Sequence, residues 1–369
     1  MKFAISKTVF LNALNKAVPI AGIKGHMPIF EHVRLRCEES TLSVAANSLE
    51  SALTTKVPCS IEETGVICVP AKRLLDVIKA CSDDIYVSLE RETLRLTIKS
   101  GGAQWRLSCL SADVFPEPST VPKECVPMPI ESLCGAIESV IFAAASKEFR
   151  FNLNAICIAE RGYGLELTTT DGHRLARRTL EQKLRMPEAT ERVLLPKSAA
   201  TTLLRLCDPE TKYALSHKLL FAVTDDTTAS FRLLDDQYPD VAQVIPNGCE
   251  AKVYAKKSDL VRALDRVSLF NDQRNLGITI TISNGKMVLA STHSDLGDGQ
   301  DSVDINYGGD DIEFIMNSAY LGEMLRHLDG ETVRMDFAEI PVEGKPVIFR
   351  TEPEANPGGY FGLIMPMRK

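Results

Sequence analysis

Residues 2–6 alternate polar and apolar side chains, the period of a half-buried strand. From residue 7 the spacing changes. Val9, Phe10, Leu14, Ala17 and Val18 recur at helical intervals, so residues 7–18 are expected to form a helix, capped by Ser6 and ended by Pro19 and Gly22. Period two returns over residues 32–36, 41–45 and 51–57. Pro70 opens a second helix over residues 71–81, with Leu74, Leu75 and Ile78 apolar, and strands follow at 85–89, 93–98 and 104–109. The same order then begins again. Pro129 opens a helix reaching residue 140, strands are expected at 149–153, 155–160 and 164–170, and Pro196 opens a helix over 197–207. It begins a third time with a helix over 257–269, a hairpin of strands 278–282 and 287–290 around Asn284-Gly285, a helix over 318–328, and strands at 332–337 and 347–351.

These are internal repeats. Leu11, Leu133 and Leu260 of the first helices lie 122 and 127 residues apart; Pro70, Pro196 and Asn317, which open the second helices, lie 126 and 121 apart. Residues 41–50, 164–176 and 286–299 align as middle strands. Each copy holds two helices and about eight strands. Two amphipathic helices cover one face of such sheets, which is an α+β layer architecture. The expected domains are residues 1–122, 123–247 and 248–369.

Composition narrows the function. With 44% apolar residues in 369, each repeat can bury a core. The ten cysteines are scattered, with no Cys-x-x-Cys spacing, and read as buried free thiols of a reducing compartment. The N-terminus lacks the apolar run of a signal peptide and no stretch reaches the length of a membrane span, so a cytoplasmic protein is expected. Net charge is −7, yet the six predicted helices together carry +6, leaving −13 elsewhere. Lys and Arg on helical faces without a base-reading motif point to sequence-independent contact with a phosphate backbone. The only Trp, Trp105, falls in a strand, and the polar helix faces carry almost no aromatics for stacking single-stranded bases.

One motif stands out for chemistry. Thr170-Asp171-Gly172-His173-Arg174-Leu175-Ala176 reads as strand, tight turn, strand. Asp171 and His173 would also suit a catalytic pair, but no nucleophile elbow, zinc-binding helix, phosphate loop or dinucleotide fingerprint accompanies them. No enzyme activity and no cofactor or metal is expected.

The repeats, this motif and the terminal Met365-Pro366-Met367-Arg368 together resemble the DNA polymerase III beta subunit family, the bacterial sliding clamps. Met27-Pro28-Ile29, Ser48-Leu49-Glu50, Val69-Pro70-Ala71, Tyr238-Pro239-Asp240 and Val244-Ile245-Pro246 extend the resemblance along essentially the whole chain, in the family's order. The resemblance implies a head-to-tail homodimer closed into a six-domain ring around duplex DNA, holding a polymerase on its template by topology. It implies a hydrophobic cleft that takes short peptides from the DNA polymerase III catalytic subunit, the clamp loader and other partners. Carried over, that cleft includes Leu153, Thr170, Gly172, His173, Arg174, Leu175, Pro239, Val244, Leu363, Met365, Pro366, Met367 and Arg368, with His173 and Arg174 offered to peptide carbonyls. DNA contact falls to Lys24, Lys72 and Arg73, with Lys197 and Arg205 added from helix position. The dimer contact falls to Leu269 and Phe270 against Leu110.

Three positions depart from the family pattern: Gln243 at the cleft edge, Lys369 at the terminus, and the acidic residues Glu131 and Glu138 on the first helix of the middle repeat. The last motivates a competing expectation, a clamp-like scaffold that binds proteins without retaining DNA.

Overall fold

The structure is a computed structural model; it describes residues 1–21, 27–146, 151–188, 190–271, 276–293, 297–342, 344–352 and 359–368. Six helices are present among them: α1 (Lys7–Ala21), α2 (Ala71–Ala80), α3 (Ile130–Val140), α4 (Lys197–Leu206), α5 (Lys257–Val267) and α6 (Ser318–His327). Every strand pair described is antiparallel, and the chain divides into two compact units.

The first unit comprises residues 1–130, 185–188 and 198–233. It holds a five-stranded sheet with Lys2–Ser6 inside it and Ala103–Ser108 at one edge, and an eight-stranded sheet. In the latter, strand Thr227–Arg232 of the middle repeat pairs with Ser51–Pro58 of the first. Helix α1 packs on α2 and on strands Thr41–Asn47 and Ser51–Pro58. Lys16 of α1 adds an ion pair to Asp226 at 2.9 Å.

The second unit comprises residues 131–184, 189–197 and 234–369 and holds one twelve-stranded sheet. Strand Arg174–Leu180 of the middle repeat pairs with Phe361–Ile364 of the third, Leu175 opposite Leu363. Here α5 packs on α6 and on Gly297–Asn306. The middle repeat thus contributes strands to both units.

The repeat is visible in burial. Phe10, Ala13, Leu14 and Ala17 of α1, Leu133, Ala136, Ile137 and Val140 of α3, and Leu260, Ala263, Leu264 and Val267 of α5 are all buried, at i, i+3, i+4 and i+7. The residue equivalent to Leu133 and Leu260 is therefore Phe10; the alignment on Leu11 was one residue out. Three further expectations are corrected. Helix α1 runs through Pro19 to Ala21, because a missing N–H near a helix end costs one bond while Ile20 and Ala21 gain burial. The strand expected at 149–153 is a 3-10 turn over Phe151–Leu153, residues 147–150 lying outside the described residues. Strands Ser60–Glu63 and Gly65–Pro70 were not foreseen. The Asn284-Gly285 turn is as expected, with φ of 50° and 72°. Among the described residues no helix is long and apolar enough to cross a membrane.

Candidate functional site

The turn between strands Gly164–Thr170 and Arg174–Leu180 is organised by Asp171. Its Oδ1 accepts the backbone N–H groups of His173 and Arg174, both at 3.0 Å, and its Oδ2 accepts Arg174 Nε at 3.0 Å. Thr170 Oγ1 accepts the Gly172 N–H at 3.1 Å and donates to the Arg174 carbonyl at 2.6 Å. Gly172 sits at φ 89°, a conformation that favours glycine. Both oxygens of Asp171 are thus occupied in shaping the turn, which leaves no carboxylate to partner His173 as a catalytic base. Among the described residues no cluster of three or more His, Cys, Asp or Glu could hold a metal.

Arg174 is 8% exposed and points away from solvent. Beyond Asp171, it donates to Glu323 of α6 and to the Phe142 carbonyl at 2.8 Å, and its guanidinium lies 4.3 Å from the Tyr320 ring centroid. A buried cation needs such partners. Its donors are committed to these partners. His173 is exposed, and its carbonyl accepts the Met365 N–H at 2.8 Å. Two residues on, the Met367 N–H reaches the Ile315 carbonyl at 2.8 Å, which pins the C-terminal segment at a second point.

Beside this segment lies an apolar face. Leu175, Ile348 and Leu363 are buried together from three adjacent strands, and Val241, Ile245, Phe361 and Met365 pack against them. The segment before Val241 is held by Tyr238 packed on Ala155, Cys157 and Leu194, and by Asn152 donating to the Gln237 carbonyl at 2.7 Å. Asp240 then caps a short 3-10 turn, Val241–Val244, by accepting the Ala242 N–H at 3.1 Å. Next to it opens a groove of about 500 Å³ lined by Val244, Ile245, Pro246, Ala338, Pro346 and Met365. Val244 is 49% exposed at its wall. Gln243 lies at the rim, its amide tied to Asp240 at 3.1 Å. A groove with apolar walls and a flexible thioether, and with Glu339 and Lys345 also in its lining, suits short, varied segments that carry apolar side chains.

Of the cleft residues expected from the sequence, Val244 and Met365 line the groove, Leu175 and Leu363 form the apolar face beside it, and Thr170, Gly172 and His173 shape the turn that holds Met365. Leu153 is buried, Pro239 is exposed on the preceding segment, and Pro366, Met367 and Arg368 follow Met365 out of the groove. Ala338 and Pro346 were missed; nothing in their periodicity marks a groove wall. Ile245 stood within the quoted Val244-Ile245-Pro246 and could have been found.

The helical cations divide in two. Lys7 and Lys257, each the first residue of its helix, donate to the carbonyls that end α2 and α6, Cys81 and Leu328, both at 2.7 Å. Lys197 donates to the Ala144 carbonyl at 2.8 Å and Ser146 Oγ at 3.1 Å, and burial pulls its ammonium below the ordinary lysine pKa. Arg262 and Arg266 pair with Asp259 and Asp301. By contrast Lys72, Arg73 and Arg205 are exposed and form no ion pair among the described residues. Lys24 lies outside the described residues. Fewer helical charges are available to a ligand than the net +6 implies.

Leu269 is 77% exposed, the most exposed of the large apolar side chains described. Phe270 behaves differently: its ring lies on Gly299, where an added Cβ would come within 2.6 Å of it. Leu110 is 36% exposed, bonded through its backbone to Cys68.

Comparison with known sequences matches the three domains of the DNA polymerase III beta subunit in order: the N-terminal domain over residues 1–119, the central domain over 128–240 and the C-terminal domain over 242–368. The beta sliding clamp of Pseudomonas aeruginosa is 27% identical over 339 residues, covering 90% of this chain and 92% of the relative. That of Synechococcus elongatus is 29% identical over 336 residues, covering 88% of each. Among solved structures, the sliding clamp of Pseudomonas aeruginosa with ligand superposes with a TM-score of 0.86 at 26% identity, and that of Bartonella birtlesii bound to griselimycin with 0.88 at 25%, each covering all of both chains. With all three domains matched in order across nearly its whole length, this chain belongs to the DNA polymerase III beta subunit family.

Proposed function

We propose that the protein is a DNA sliding clamp: two copies close head to tail into a ring that encircles duplex DNA and keeps the replicative polymerase on its template. The observation that carries this is the match of all three repeats, end to end, to one clamp family. We take the domains as residues 1–122, 123–247 and 248–369. The protein has no chemistry of its own; catalysis belongs to the polymerase it holds. Ten free cysteines accord with a cytoplasmic setting beside the chromosome.

Weak phosphate contact suits a sliding ring, since strong contact would resist motion. Lys72, Arg73 and Arg205 supply it, with Lys24, while Lys197 contributes less because its ammonium is engaged. The groove at Val244 and Met365 takes short apolar segments of the polymerase III catalytic subunit, the clamp loader and other partners, and also griselimycin, the ligand bound by the Bartonella birtlesii clamp.

The dimer contact is assigned to edges. Ala103–Ser108 ends the five-stranded sheet, beside a hollow of about 590 Å³ lined by Val77, Trp105 and Leu107. Over residues 297–304 strand Gly297–Asn306 pairs on one side only, among the described residues. Unpaired edges invite pairing with another chain. Arg106 on one edge faces Asp298 and Asp301 on the other when two copies meet, with Leu269 entering the hollow near Leu110.

Primer extension on a singly primed circular template, with the host's polymerase and clamp loader, tests the reading. Product length per binding event rises when the protein is added and falls back with Val244→Asp. Equal lengths with and without the protein would remove the clamp function. The second reading, a scaffold that does not hold DNA, draws on exposed Glu131 and Glu138 of α3. It predicts groove binding without any retention on DNA.

A further inference from the structure

We propose that Glu323, on α6 of the third repeat, is a positioning residue for the partner groove, acting through Arg174. This inference rests on the groove reading above. Glu323 does not line that groove; it borders a separate hollow with Leu264, Asp265, Ser318 and Arg326. Yet a continuous chain of contacts joins it to Met365. Glu323 Oε2 accepts Arg174 Nη1, and Arg174 Nε donates to Asp171 Oδ2 at 3.0 Å. Asp171 Oδ1 accepts the His173 N–H at 3.0 Å, and the His173 carbonyl accepts the Met365 N–H at 2.8 Å. Met365 then walls the groove.

The geometry explains why Glu323 is needed. The Arg174 guanidinium lies over the Phe142 and Tyr320 rings, 5.2 and 4.3 Å from their centroids. These rings accept a cation but do not fix its rotation about the stem. Asp171 holds Nε, the Phe142 carbonyl holds Nη2, and Glu323 holds the remaining terminal nitrogen, so three acceptors define the plane of the fork. The side chain of Glu323 is 43% exposed, and Lys197, a second cation, shares the same charged surroundings. With Glu323 neutral or truncated, two cations face the single carboxylate of Asp171. The fork is then free to tilt, and the Asp171 turn and the Met365 backbone tilt with it. The coupling is local and structural: it needs no second global conformation.

The test combines two readouts on the full-length protein. Griselimycin affinity is measured by calorimetry for wild type, Glu323→Ala, Glu323→Gln and, as a groove control, Val244→Asp; amide hydrogen exchange is followed at Met365. Glu323→Ala is expected to weaken griselimycin about tenfold, to accelerate exchange at Met365 and to leave exchange in the strands of the first unit unchanged. Glu323→Gln, which keeps an acceptor, restores part of both. Affinity within twofold of wild type for Glu323→Ala, where Val244→Asp abolishes binding, overturns the inference. If Val244→Asp has no effect, the groove reading is the one that fails. The Met365 exchange rate still decides the positioning role in that case: acceleration in Glu323→Ala upholds it, and no change overturns it.

Discussion

Arg174 and Asp171 illustrate how one residue's surroundings decide its role. Side by side with a histidine they have the composition of a reactive site, yet every acceptor of Asp171 is used to hold backbone or guanidinium. Arg174→Met is expected to lower unfolding free energy by roughly 2–4 kcal/mol, read by urea titration, because it strands Asp171 and removes an inter-repeat contact. Leu269 and Phe270 divide in the same way. Leu269→Lys should split the dimer in sedimentation while leaving the protomer folded, since the side chain touches little within its own chain. Phe270→Lys should instead lower the melting temperature, because its ring rests on Gly299. Burial pushes the thiols of Cys37 and Cys68 up to about 12 and those of Cys109 and Cys157 up to about 11. Native alkylation at pH 8, read by mass spectrometry, should therefore mark exposed Cys249 and spare these four.

At the scale of elements, α1 and α5 share a device that α3 lacks. A lysine in the first position donates to the carbonyl ending the second helix of its repeat, Lys7 to Cys81 and Lys257 to Leu328. Ile130 stands at that position in α3. Lys7→Met and Lys257→Met should each cost about 1–2 kcal/mol in chemical denaturation. Most elements were legible from periodicity, and the limits have physical causes. Val9, Phe10 and Leu11 are three apolar residues in succession, so the pattern alone does not tell which one enters the core; packing selects Phe10 and leaves Leu11 half-buried. Residues 149–153 alternate like a strand in sequence, but the Leu153 carbonyl accepts the Ala145 N–H and Asn152 reaches Gln237, which bends Phe151–Leu153 into a turn. The turn at 170–174 was readable because its residue types dictate its geometry. The groove wall at Ala338 and Pro346 was not, because it comes from a loop whose only link to the site is tertiary.

At the scale of the whole molecule, the three repeats were countable from spacing, whereas the joining of their sheets was not. Alternation identifies a strand but not its neighbour. The structure pairs Thr227–Arg232 with Ser51–Pro58 and Arg174–Leu180 with Phe361–Ile364, so each junction between repeats is an unbroken ladder of backbone bonds. Such junctions should hold the first repeat to the middle one within the first unit, and the middle repeat to the third within the second. Charge belongs to this scale as well. With Lys7, Lys16, Lys197 and Lys257 committed to internal partners, few helical lysines remain for the DNA contact proposed above. Lys72→Glu with Arg73→Glu should cut retention on DNA several-fold and leave griselimycin binding intact. The most direct measurement of the central claim is retention of the loaded protein on circular against linearised DNA. A topological ring stays on the circle and is lost from the linear form within the time needed to slide to an end. Equal retention on both would contradict encirclement and reduce the DNA contact to ordinary electrostatic binding.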